Sequence, residues 1–86
     1  MAKANVAQTN EDWQNRINID PGILGGKPVI KGTRVPLEII VGALAGGMSI
    51  EEVCEAYRIS EDDVRAALSY AAETLADEVV HAIPSR

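Results

Sequence analysis

The sequence predicts a mainly α fold, a three-helix helix-turn-helix bundle of homeodomain or winged-helix type with a short N-terminal β-ribbon. Three observations lead there. Apolar residues recur at helical spacing in three successive segments. Capping signals open the second and third of these, with only a tight turn between them. The stretch Asp20 to Leu44, which ends by launching the first of them, holds five of the seven glycines and three of the four prolines. Punctuation of that density dictates a backbone path.

Residues 1–12 are small and polar without periodicity and read as a disordered tail, leaving residues 13–86 as one domain. Arg16-Ile17-Asn18-Ile19-Asp20 alternates polar and apolar, so it reads as a short strand with Ile17 and Ile19 inward. Asp20-Pro21-Gly22 is turn chemistry, and Gly25-Gly26 is a second permissive point. Pro28-Val29-Ile30 reads as an edge strand, because proline cannot donate to a ladder. This strand and the first form the ribbon, which either lies on the helices or pairs with a second subunit. Gly32 turns the chain again, and Pro36 suits the first position of a helix, where its missing N–H is no loss.

Helix one carries Leu37, Ile40, Val41 and Leu44 at i, i+3, i+4, i+7 and stops at Gly46-Gly47. Ser49 with Glu52 makes a capping box for helix two, whose stripe is Ile50, Val53, Cys54 and Tyr57. Ser60 with Asp63 repeats the signal for helix three, with Val64, Leu68, Ala71, Leu75 and Val79 on the expected inner face. At 1.5 Å per residue that helix outruns helix one, yet its far end carries a second stripe, Ala76, Val79, Val80 and Ile83. Contiguous apolar surface beyond a core marks an interaction site. Trp13 either lies over the apolar face of its own domain or, as a residue type enriched at interface hot spots, anchors a partner; the stripe either folds back onto Trp13 and the ribbon of its own chain or, with Trp13, forms the expected interface to a partner or second subunit.

Eighty-six residues with no Phe make a small aliphatic core; a chain this short buries only about 60–65% of its unfolded surface. The single cysteine, Cys54, rules out an internal disulfide and suits a reducing cytoplasm. No apolar run nears the ~18 residues of a membrane span.

The net charge of −5 divides into 0 for residues 1–16, +1 for 17–48 and −6 for 49–86. The only sizeable basic segment is therefore the Gly/Pro loop. An acidic domain has no general attraction to DNA phosphate and suits a basic protein partner. The first turn of helix three, which would read base edges in a helix-turn-helix protein, carries Glu61, Asp62 and Asp63 with Arg65 alone against them. The loop cations are either simply solvated or meet DNA phosphate or an acidic patch on a partner; if the protein binds DNA, the contacts fall on Lys27, Lys31, Arg34 and Arg58. Catalysis finds no Ser/His/Asp set and no metal spacing, and His81 reads as a helix C-terminal cation. The expectation is a non-enzyme without metal or cofactor.

Gly25-Gly26-Lys27-Pro28-Val29-Ile30-Lys31-Gly32-Thr33-Arg34-Val35-Pro36, preceded by Ile17-Asn18-Ile19-Asp20-Pro21 and followed by Gly47-Met48-Ser49-Ile50-Glu51-Glu52-Val53, resembles the bacterial domain-of-unknown-function family 433. The likeness runs from about Trp13 to Glu73. It implies a small helix-turn-helix-like domain; Pro21, Gly25, Gly26, Gly32 and Pro36 are the structural positions that turn chemistry already singles out within it. Members of that family are commonly encoded beside PIN-like nucleases and regarded as antitoxins. The resemblance thus implies a module that binds and neutralises a cognate nuclease toxin, with DNA-binding autoregulation and a homodimer as further expectations. The alternative is a dimeric transcription regulator without a toxin. Related sequences often carry Tyr-Pro-x-Leu-Thr at the second turn; Tyr57-Arg58-Ile59-Ser60 departs from it and leaves the angle between helices two and three open.

Overall fold

The computed structural model describes residues 13–82, with side chains to Asp77; the tail expected over residues 1–12 lies outside the described residues. A single 3-10 turn at Trp13–Asn15 leads into β1 (Ile17–Asn18), which pairs antiparallel with β2 (Val29–Ile30), Ile17 opposite Ile30. Between the strands, Asp20 behaves as its composition demands: its Oδ1 accepts the Gly22 N–H and its carbonyl the Ile23 N–H, both at 2.8 Å. Leu24, Gly25 and Gly26 then take positive φ in succession, 49°, 68° and 92°. The two glycines adopt this freely, whereas left-handed backbone costs a residue such as Leu24 about 1–2 kcal/mol.

β2 is not the edge strand expected from Pro28. Beyond its pairing with β1, the Ile30 N–H donates to the Val35 carbonyl, Val29 bridges Pro36, and the Leu37 N–H donates to the Pro28 carbonyl at 3.0 Å. Pro28 sits just before the strand and contributes only its acceptor. The turn linking the two sides needs Gly32 at φ 82°, and the Thr33 hydroxyl braces it, donating to the Ile30 carbonyl at 2.7 Å and accepting from the Val35 N–H. Flanked on both sides, Val29 and Ile30 are fully buried, so the ribbon lies on the helices of its own chain.

The same pairing corrects the role of Pro36. It is the N-cap, not the first helical residue, with ψ 144°. The reason is the strand-like bridge to Val29, which keeps the backbone extended one residue longer than a helix start would. α1 (Leu37–Ala45) follows and buries Leu37 and Ile40. It ends in a Schellman arrangement around Gly47 at φ 108°, with Met48 N–H bonded to the Ala43 carbonyl and Gly47 N–H to that of Leu44. α2 (Ile50–Tyr57) opens with the expected capping box, Ser49 and Glu52 exchanging bonds of 2.8 and 3.0 Å. Its Val53 is buried, with Ile50, Cys54 and Tyr57 packed around the core.

Arg58 closes α2 in the left-handed region, φ 57° and ψ 50°. This reverses the chain within three residues and tucks Ile59, which no periodicity singled out, into the core at 8% exposure. α3 (Glu61–Ala82) starts with the second box, Ser60 and Asp63 exchanging bonds of 3.0 and 3.1 Å.

Its inner face differs from expectation. Val64, Ala66 and Ala67 are completely buried, while Leu68 and Leu75 are 38% and 59% exposed. Small side chains at Ala66 and Ala67 let neighbouring elements approach α3 closely, and the larger leucines fall outside that contact. The outcome is a mainly helical three-helix bundle with a two-stranded ribbon, its core made by Ile30, Leu37, Ile40, Val53, Ile59, Val64 and Ala67.

Candidate functional site

Three surfaces carry chemistry. The first is the basic loop. Lys27 is held by Glu38 of α1, Nζ to Oε2 3.1 Å, both side chains more than half exposed. Lys31 and Arg34 flank the Gly32 turn, exposed and without an ion pair among the described residues. Arg58 is exposed in the α2–α3 turn, on a separate segment. Of the four cations expected to act together, only Lys31 and Arg34 share one turn.

The second surface is the first turn of α3. Glu61, Asp62 and Asp63 stand where a helix N-terminus favours carboxylates, and two arginines answer them. Arg16, brought in from the N-terminal segment, donates to Asp63 at 3.1 Å and lies 3.6 Å from Asp62; Arg65 pairs with Glu61 at 3.2 Å and Asp62 at 3.4 Å. The one cation of this turn that could meet a base edge is thus committed within its own helix. Sequence reasoning missed the Arg16 link. Its only signal was opposite charge, and the partners lie 47 residues apart.

Cys54 faces the core from α2, half-buried, and makes no disulfide. Loss of solvent pushes its thiol above the ordinary value, and the carboxylates of Glu61, Asp63 and Glu51 push in the same direction. A thiol so placed is protonated at neutral pH and is a poor nucleophile. Among the described residues no group of three or more His, Cys, Asp or Glu is arranged to hold a metal ion. No helix there is long and apolar enough to cross a membrane.

The third surface is an open apolar groove of about 250 Å³ between α1 and α3, with Leu37 and Val41 on one wall and Ala71 and Leu75 on the other. No stripe read along a single helix revealed it, because it forms only between two helices brought together by the fold. Tyr70 reaches both this groove and Trp13, whose ring meets it edge-on at 5.5 Å and 77°. The indole Nε1–H donates to Glu73 at 3.3 Å. Trp13 thus rests half-buried on α3 of its own chain, the first of its two expected placements, and not free as a partner anchor. Of the other expected interface residues, Ala76 is exposed; the side chains of Val79 and Val80, and all of Ile83, lie outside the described residues.

Comparison with known proteins agrees with this architecture. A family model described as "Protein of unknown function (DUF433)" matches residues 17–71, from β1 through the half of α3 that packs. An uncharacterized protein of Sinorhizobium fredii, y4eO, is 39% identical over 56 residues; the match takes in 64% of this chain and 25% of that one, so the chain spans about a quarter of its relative's length. The crystal structure of a DUF433 member protein from Anabaena variabilis superposes with a TM-score of 0.64 at 29% identity, covering 92% of this chain and 79% of that one.

Proposed function

The chain belongs to the DUF433 family of proteins of unknown function, and on that premise we propose that it is a non-catalytic, antitoxin-like module that binds and restrains a cognate PIN-like nuclease. The observation that supports this reading is the α1–α3 groove, a small apolar surface that stands open among the described residues. The nuclease itself comes from the family resemblance, and the acidic C-terminal half suits a protein with a basic surface. The test is to mix the purified chain with the nuclease encoded beside it. Stoichiometric loss of nuclease activity with co-elution supports the proposal; unchanged activity with separate elution refutes it.

Autoregulatory DNA binding is the second reading, favoured by Lys31 and Arg34 standing exposed on one turn. The proposed assembly for it is a homodimer that presents this turn twice, joined through the outer edge of β1, which pairs on one side only among the described residues. Replacing Lys31 and Arg34 with Ala lowers the salt dependence of binding to upstream DNA by about 1 in slope per lost phosphate contact. A slope that does not change removes the loop from the interface.

A further inference from the structure

α1 is apolar almost all the way round. Glu38 is its only polar side chain, and Lys27 already holds that carboxylate. Leu37 and Ile40 are buried and Val41 lines the groove, yet Ile39, Gly42 and Ala45 are exposed, Ile39 by 40%, and none of these three belongs to the core or the groove lining. A helix apolar on every side is a helix that expects cover on every side. Gly42 sharpens the point, because it stands in mid-helix, where only proline is a poorer helix former. A Cβ there would meet nothing within 4 Å beyond the helix's own backbone. The folded chain has no steric need for the missing side chain, whereas a second helix passing close over α1 would have one.

The exposed face carries its own complement. Two copies of α1 crossed antiparallel at Gly42 about a two-fold axis set Ile39, three residues before the crossing, against Ala45 of the second copy, three residues after it. Each large side chain meets a small one, and does so twice. The flanking charge agrees. The chain enters α1 from the Gly32 turn, where Lys31 and Arg34 are exposed and without an ion pair among the described residues, and leaves it toward α2, where the exposed Glu51 has none either. Antiparallel pairing brings the cationic end of each copy to the acidic end of the other, whereas parallel pairing sets like charge beside like. We propose that the outer face of α1 joins two copies of this chain, antiparallel and centred on Gly42. This goes beyond the nuclease reading and does not depend on it, and it is a joining face other than the outer edge of β1.

Sedimentation equilibrium of the full chain over a range of concentrations and salt tests this. The expected result is a reversible dimer that weakens as salt is raised. Gly42→Leu, checked for retained helix by far-UV dichroism, weakens dimerisation by about tenfold or more, because its side chain fills the crossing point. Gly42→Ala weakens it by about threefold or more and yet raises the thermal midpoint at dilutions where the chain is monomeric, alanine being the better helix former. That opposition decides the matter should Gly42→Leu lose its helix. Arg34→Glu and Glu51→Arg each weaken the dimer by about threefold or more and together restore it. Leu75→Lys, on the groove, leaves the dimer within about twofold. A chain monomeric at every concentration overturns the proposal. So does a dimer that keeps its affinity through both Gly42 substitutions, which is joined elsewhere, or one that loses as much to Leu75→Lys. Charge reversals that fail to restore one another overturn the antiparallel arrangement.

Discussion

α3 is one unbroken helix with two unlike halves. From Glu61 to Ala71 it is capped by Ser60, tied to Arg16 and built around Val64, Ala66 and Ala67, none of which touches solvent. From Ala72 to Asp77 every side chain is exposed, Leu75 included. The first half is helical because tertiary packing rewards it, while the second persists on Ala, Glu and Leu propensity and on continuity with a nucleated turn. The difference teaches that one continuous helix can hold the fold with one end while the other end adds nothing to the core.

Substitutions that act on one half and spare the other break or sharpen this contrast. Val64→Ala should cost on the order of 2 kcal/mol through lost burial and a residual cavity, whereas Leu75→Ala should stay within about 0.5 kcal/mol. Urea denaturation of both variants checks it, and similar midpoints would dissolve the contrast. Ser60→Ala removes the cap of the packed half and is expected to cost about 1 kcal/mol. Its thermal midpoint should fall accordingly. Arg16→Ala breaks a pair whose arginine is 40% exposed, so the loss should be under about 1 kcal/mol and shrink further in high salt.

The smallest effect belongs to Cys54. Its thiol ionises at higher pH in the folded chain than in the unfolded one, so stability is complete below the ordinary thiol range and declines as pH rises through it. Cys54→Ala should lose that decline, measured by denaturation at successive alkaline pH values.

Local chemistry was legible in the residue order. Both capping boxes, the left-handed glycine after α1 and the stripes of α1 and α2 are decided within eight residues, and they stand as expected. What failed was decided at a distance. Pro36 would begin the helix if Val29 did not hold it extended. Leu68 and Leu75 would face inward if Ala66 and Ala67 did not let neighbouring elements come so close. Ile59 entered the core because Arg58 accepts a left-handed conformation that glycine or asparagine more often takes. The groove needed both helices in place before it existed, and the basic loop, though visible as a charge excess, turned out to have Lys27 engaged by Glu38.

The strap formed by residues 13–18 has a consequence for how the chain opens. Among the described residues its side-chain bonds reach the partners most distant in sequence: Trp13 to Glu73 across 60 residues and Arg16 to Asp63 across 47. The α1–α2–α3 contacts close over shorter loops and lose less chain entropy in forming. The strap should therefore dock last in folding and release first, as a separate unit of native-state hydrogen exchange. The amide of Lys31 donates to the Arg16 carbonyl at 2.8 Å and would exchange with that unit. The amide of Ile30, bonded instead to Val35 on the other side of the same strand, would wait for the bundle itself to open.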